Sequence, residues 1–296
     1  MPICAETTRS DDQLYVLVLE MKKILYIALI LLFAGCEVIG ENERLIPVTG
    51  EGTTDRRHVL LEFTGFRCVN CPTAAQTAQA LHTIYGENLI VIALHPASNP
   101  FTQGKEDYTC PEADSVYRYM GGTETTPFPT GNIDLKAENG TYFFDTAEWS
   151  RLAVQAMADS VAPDIAVTLQ TDTVNRTVSI QAVYTSRKTE EVQIAFWLVE
   201  DSIPGMQAMP DGSVQKDYPH RHVLRAAANN QTWGQRTLMD SNIRLVTGDV
   251  NIPQQCRITH CSIVALMFDT KDKHILQAYE TKLDDYDHRS DVGDER

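Results

Sequence analysis

The chain has 296 residues, 43% hydrophobic and 22% charged, an ordinary globular composition with apolar material for one large or two modest cores. Its formal net charge is −15 and no stretch clusters Lys and Arg, which excludes nucleic acid as a partner.

Met21 to Cys36 reads MKKILYIALILLFAGC: two lysines, an apolar run, then small residues before a cysteine. That is the layout of a secretory signal, too short to span a bilayer as a mature helix. The ending Phe33-Ala34-Gly35-Cys36 resembles the lipobox of bacterial lipoproteins, with Phe33 where Leu is usual. The resemblance implies cleavage before Cys36 and acylation of its sulfur; an ordinary signal peptide or an N-terminal anchor is the alternative. Glu6, Asp11, Asp12 and Glu20 are acids that a signal's leading segment avoids. Residues 1–20 are therefore expected to be a gene-model extension, with translation starting at Met21. Export implies a compartment where disulfides persist. With Cys36 acylated, Cys68, Cys71, Cys110, Cys256 and Cys261 remain, so at least one thiol stays unpaired in a monomer. Residues 36–57 read as a polar tether. Its Glu37, Glu41 and Glu43 resemble the surface-export signals of some Gram-negative lipoproteins.

From His58 the pattern is β then α. HVLLEF is a buried strand, Pro72 to Tyr85 is an Ala-rich helix, and Asn88 to His95 is a second buried strand, together a parallel β-α-β unit. Thr109-x-x-Glu112 has the spacing of a capping box and starts a helix to about Met120. TPFPTGNIDL leads into a strand, Asn139-Gly140 is a hairpin signal, and Thr146 to Val161 is an amphipathic helix. After Pro163 short strands take over: VTLQ, TVSIQAVYT, EVQIAFWLVE, HVLRAA, CSIVALMFD and HILQAYETKL. Their spacing predicts an immunoglobulin-like β-sandwich over 163–283, with the boundary near Ala162-Pro163. Phe196 and Trp197 fall on opposite strand faces, the first in the core and the second against a loop or the neighbouring domain. Residues 284–296 form a charged tail expected to be disordered.

Cys68 and Cys71 have the spacing of a redox disulfide, a structural staple or half a zinc site. Zinc is the weakest of the three, because the other paired cysteines lie far along the chain. The preceding strand and following helix put Cys68 at the positive end of a helix, where unpaired amides stabilise a thiolate. Arg67 adds a neighbouring positive charge, and Cys71 stands where it could resolve a mixed disulfide on Cys68.

This order of strand, CxxC, helix, strand and X-Pro-Thr resembles the thioredoxin superfamily over about Val59 to Val161. The resemblance implies Cys68 as nucleophile, Cys71 as resolver, Glu62 as proton relay and Pro129 as the cis-proline wall beside an extended substrate. Arg67, Asn70, Phe128 and Thr130 support that site. Val69-Asn70 replaces the usual dipeptide, Arg67 stands where an aromatic is common, and the connection to Pro129 is long. The redox direction stays open, as do a rim position for Glu62 and a trans bond at Pro129. A narrower resemblance rests on EFTGFRCVNCP, on His220 to Ala227, and on IVALMFD with HILQAYETKL. It is to the twenty-eight-kilodalton family of lipid-anchored outer-membrane proteins, which pair a thioredoxin-like domain with a β-sandwich and include members described as adhesins or surface antigens.

Cys256 and Cys261 lie five positions apart. In one straight strand their Cα atoms would be separated by about 16 Å, so a structural disulfide requires residues 257–260 to turn. His260 beside Cys261 suggests metal, with the disulfide preferred. His95 reads as a packing residue, Cys110 as a buried thiol or a third redox partner, and His220, Arg221, His222 and Arg225 as a solvated edge. The expected protein is thus a lipid-anchored envelope protein, periplasmic or surface-exposed, with no cofactor and no metal. It either exchanges disulfides with cysteine-containing exported proteins or binds a surface ligand while its CxxC merely staples.

Overall fold

The computed structural model describes residues 51–186, 188–240 and 243–283. The expected signal at 21–35, the expected acylation site Cys36, residues 36–50 of the expected tether and the charged tail lie outside the described residues.

Two short apolar runs pair in parallel, as expected. Strand β2 (His58–Phe63) is fully buried and lies in register with β3 (Leu89–Leu94), from His58 opposite Leu89 to Phe63 opposite Leu94. Between them runs helix α1 (Cys71–Tyr85), with Pro72 in its first turn, where a missing amide hydrogen costs nothing. Its Ala74, Ala78 and Leu81 recur at helical spacing and pack on Leu60, Leu89 and Val91 of the strands. On the other side of β2 lies the antiparallel β4 (Thr130–Ile133), entered through a cis Phe128–Pro129 bond. Gly131 of β4 is a close-approach position: a Cβ there would meet the Trp149 ring at 2.7 Å. Trp149 opens helix α3 (Trp149–Met157), is fully buried, and donates its indole N–H to the Phe144 carbonyl at 3.1 Å. The Asn139-Gly140 turn forms, both residues having positive φ between the bridged Glu138 and Thr141.

Helix α2 (Pro111–Tyr119) starts where the Thr-x-x-Glu spacing puts it, but the capping box does not close. Cys110 is the residue before the helix, Thr109 Oγ1 donates instead to Asp107 at 2.8 Å, and Glu112 turns inward to accept the Ala227 amide.

The later strands are β5 (Asp164–Asp172), β6 (Thr177–Thr185), β7 (Glu190–Glu200), β8 (Ile203–Ala208), β9 (Val214–His220), β10 (Val223–Ala227), β11 (Gln235–Met239), β12 (Ile243–Asn251), β13 (Cys261–Asp269) and β14 (Ile275–Lys282). With β1 (Glu51–Thr53), β5, β6 and β12 make a four-stranded sheet in the order β1-β5-β6-β12. Its inward residues, among them Val178, Ile180, Ala182 and Tyr184, alternate as the sequence does and pack on Ile194, Phe196 and Leu198 of β7. Two sheets therefore face each other, as in a sandwich.

The second of these sheets does not stop at Pro163. Its order is β14-β13-β7-β10-β3-β2-β4, with β11 also on β7, so strands from both halves of the chain share one sheet. The join is narrow: Val223 pairs with Ala93, and the Ala93 amide donates to His222 O at 2.7 Å. One sheet thus draws strands from both sides of Ala162-Pro163, near which the sequence puts its domain boundary. The architecture is a mixed α/β region merging into a β-rich one, with α1 and α3 on one face of β2–β4 and α2 on the other. The α2 face continues under the later strands, where fully buried Trp197 reaches it and donates to Thr232 O at 2.8 Å. No described helix is long and apolar enough to cross a membrane.

Candidate functional site

The strand-to-helix connection after β2 carries Cys68 and Cys71, which form a disulfide with Cα atoms 5.4 Å apart. Asn70 immediately precedes α1 and offers its carbonyl, not its side chain, to the first turn; the Thr73 amide donates to it at 3.2 Å. Both sulfurs belong to the buried cluster that holds Phe63, Tyr117 and Phe128, and Cys68 is only 2% exposed. The nearest solvent-facing residues are Arg67, Val69 and Asn70. Arg67 is tied sideways, its amide donating to Phe101 O at 3.0 Å and its guanidinium to Gln103 O at 3.3 Å. Phe101 in turn stacks on Phe128, the residue before cis Pro129. Thr130 is buried and donates to Phe144 O at 3.2 Å, so its hydroxyl serves the β4 edge.

Glu62 lies inside, not on a rim. It is 3% exposed, Oε1 has no hydrogen-bond partner within the protein, and burial pushes its carboxyl up to about 8. It lines a cavity of about 480 Å³ together with Cys71, His95, Gln207, Tyr218 and His220. His95 is also buried, with Nδ1 unpartnered, and its pKa is driven well below the ordinary value by desolvation and then by His220 and Arg225. His220 is lowered to about 4, chiefly by burial. Its ring lies 4.3 Å from that of Tyr108 and 5.1 Å from that of Tyr218, so the rings of His95, Tyr108, His220 and Tyr218 form one cluster. At neutral pH the cavity therefore presents a protonated carboxyl and two neutral imidazoles beside Cys71.

Two parts of this site are not in the sequence expectation. The hairpin of β8 and β9 clamps the CxxC loop: Gln207 Nε2 donates to Cys68 O at 2.9 Å, and the Ala208 amide donates to Phe66 O at 2.8 Å. Only Asp211-Gly212, a turn dipeptide, signals that hairpin in the sequence. His220 and Arg225 are buried, which corrects their assignment to a solvated edge, and His220 faces the cavity; Arg221 is exposed as expected.

Cys256 and Cys261 are both buried, and they remain free thiols. The turn that a bond between them requires is present, a 3₁₀ turn over Ile258–His260; Cys261 Sγ donates to Arg257 O at 3.3 Å, and the two thiols are near enough to shift each other's ionisation. The expected disulfide is thus corrected to an adjacent thiol pair. Cys110 is a third free thiol, pushed up to about 12 by burial, with Sγ 3.4 Å from Leu224 O. Among the described residues, Asp269, Asp272 and His274 have ligand atoms close enough for a metal. They sit in the β13–β14 turn, where Asp269 accepts the Lys271 amide and Asp272 pairs with the His274 ring, which accounts for their grouping.

The family model described as outer membrane protein Omp28 matches residues 114–286. No curated protein matches. HBP35 of Porphyromonas gingivalis is similar in structure, with a TM-score of 0.62 at 15% identity over 83% of this chain and 81% of that one, which shows a shared fold. A domain of the outer membrane lipoprotein Omp28 from Porphyromonas gingivalis aligns at 17% identity over 40% of this chain and 86% of that one, with a TM-score of 0.29.

Proposed function

This chain belongs to the Omp28 outer membrane protein family, and from that premise we propose an envelope protein whose Cys68–Cys71 pair exchanges disulfides with cysteine-containing segments of other exported proteins. In this reading residues 58–162 are thioredoxin-like, the later strands contribute an immunoglobulin-like sandwich, and acylated Cys36 holds the protein on the outer membrane. The observation that carries it is the buried Glu62 carboxyl, its Oε1 without a hydrogen-bond partner, in the cavity that Cys71 also lines.

The chemistry follows from that placement. An incoming substrate thiolate attacks Cys68 Sγ, the Cys68–Cys71 bond breaks, and Cys71 leaves as a thiolate. Glu62 gives its proton to Cys71, so no bare thiolate is left in an apolar site. A second substrate thiol then attacks the mixed disulfide, and Cys68 departs as a thiolate at the amino end of α1, where the helix amides favour it. The substrate loses two electrons and the protein disulfide gains them. In the reverse direction the Glu62 carboxylate takes the Cys71 proton. Phe101, Phe128 and Pro129 form the wall along which an extended substrate segment lies.

The burial of Cys68 favours a second reading, in which the disulfide only staples the loop and the sandwich binds a surface ligand. Cys71→Ser separates the two. Exchange predicts mixed-disulfide complexes on Cys68 that dissolve on reduction, and opening of the wild-type disulfide by mild dithiothreitol. No trapped complex together with a dithiothreitol-resistant disulfide assigns the staple.

A further inference from the structure

A second pair of sulfurs lies in the other half of the molecule, and nothing in the proposed exchange at Cys68 uses it. Cys256 ends the loop after β12, and Cys261 is the first residue of β13, opposite Glu200 of β7. The loop is held in place from outside. Arg176 Nη2 donates to Pro253 O at 2.7 Å and Cys256 O at 2.6 Å, and the Ile252 amide donates to Arg176 O at 2.8 Å. The 3₁₀ turn then folds the chain back so that the two side chains meet. Arg225 of β10 donates Nε–H to Cys256 Sγ at 3.3 Å, and the same guanidinium pairs with Glu200 at 3.5 Å. All four side chains are buried. A cation inside a core and hydrogen-bonded to a sulfur favours that sulfur's thiolate, and so favours the reduced form of any pair the sulfur belongs to.

We infer that Cys256 and Cys261 are a second, exchangeable dithiol–disulfide pair, with Cys256 as the attacking sulfur and Arg225 as the group that holds its reduced form. With a low-molecular-weight disulfide as oxidant, Cys256 Sγ attacks one sulfur and the oxidant's S–S bond breaks, releasing one thiolate. Cys261 then loses its proton and attacks Cys256 Sγ in the mixed disulfide, which releases the second thiolate. Two protein thiols are oxidised, the oxidant is reduced to two thiols, and the two protein protons go with them. The proton order suits this: Cys256 is lowered, first by its neighbour Cys261 and also by Arg225, while Cys261 is raised by Cys256. Cys110 makes the contrast, since it has no cysteine partner and burial raises it.

The test is an equilibrium one, so burial of the sulfurs does not obscure it. The full chain is equilibrated in glutathione buffers of graded ratio, acid-quenched, alkylated and digested with trypsin without reduction. Cleavage after Arg257 puts the two cysteines in separate peptides, 245–257 and 258–271, which stay linked only if the disulfide exists. The linked pair is expected under oxidising buffers and its loss under reducing ones. Arg225→Gln is expected to move the midpoint toward more reducing buffer by about tenfold, equivalent to about 30 mV. Arg225→Lys, the milder change should the Gln variant not fold, is expected to move it the same way by less. Two separately alkylated peptides at every ratio overturn the pair. A midpoint that stays put or moves oppositely in both variants overturns the role of Arg225.

Discussion

The two cysteine pairs are built from similar parts and differ in what surrounds the nearest buried carboxylate. At Cys71 the acid is Glu62, whose Oε1 has no hydrogen-bond partner within the protein and which burial keeps protonated at neutral pH. At Cys256 the acid is Glu200, which faces the Arg225 guanidinium at 3.5 Å and accepts the Arg257 amide at 2.8 Å. One site stores a proton and the other stores an ion pair. A cysteine motif therefore does not by itself set the chemistry; the charge state of the buried neighbour does.

The largest expected effect is a pH dependence that belongs to one site alone. Burial raises Glu62 from 4.5 to about 8, so the folded chain keeps a proton that the unfolded chain releases within that window. Stability is then full below about pH 4.5 and is lost as the pH rises toward 8, by at most about 5 kcal/mol. His95 and His220 act in the opposite sense, because lowered imidazoles cost stability as the pH falls below 6.5. The difference between wild type and Glu62→Gln isolates the carboxyl. Urea titrations of the oxidised protein are expected to show the Gln variant gaining on wild type from pH 5 to 8.5. Parallel pH profiles would mean that Glu62 is ionised in the fold.

Next in size is Glu200→Gln, which tests the other half of the contrast. The amide keeps an acceptor for Arg257 N–H but leaves the Arg225 charge buried without its carboxylate. Removing one partner of a buried pair is expected to cost about 3–5 kcal/mol in urea unfolding at pH 7, with little pH dependence. A loss under about 1 kcal/mol would mean that Cys256 and the Asp107 carbonyl, 3.3 Å from Arg225 Nη1, satisfy the guanidinium unaided.

The two sites also differ in how much of them could be read beforehand. HVLLEF, the Ala-rich helix and TVSIQAVYT carry their periodicity within a few residues, and each forms close to where the sequence puts it. Glu62 and the cysteines of the CxxC are local to one strand-helix turn, so their juxtaposition was legible. His95 and His220 were not, because long-range contacts, the pairing of Val223 with Ala93 and the docking of the β8–β9 hairpin on the CxxC loop, bring the end of β9 beside β3. Those contacts cross a long stretch of chain and leave no mark in the periodicity of the strands. The merged sheet was hidden for the same reason. The β8–β9 hairpin read as loop because Pro204, Pro210 and Pro219 break any strand pattern and its second strand is largely exposed.

That hairpin supplies the smallest effect and the sharpest test of whether the first pair is sealed or merely covered. Gln207 is buried, and its amide nitrogen donates to Cys68 O at 2.9 Å and Ala208 O at 3.0 Å. Gln207→Ala leaves the Cys68 carbonyl without that donor, which is expected to cost about 1–3 kcal/mol. The Ala208–Phe66 hydrogen bond remains, so the hairpin stays docked but its seat on the CxxC loop loosens. Reduction of Cys68–Cys71 by dithiothreitol is then expected to quicken several-fold, while the Cys256–Cys261 midpoint in glutathione buffer stays fixed. If both pairs respond together, the shared sheet couples them and the contrast between two independent sites fails. If neither responds, access to Cys68 is governed from the Phe101–Phe128 side, and the wall along Pro129 becomes the gate.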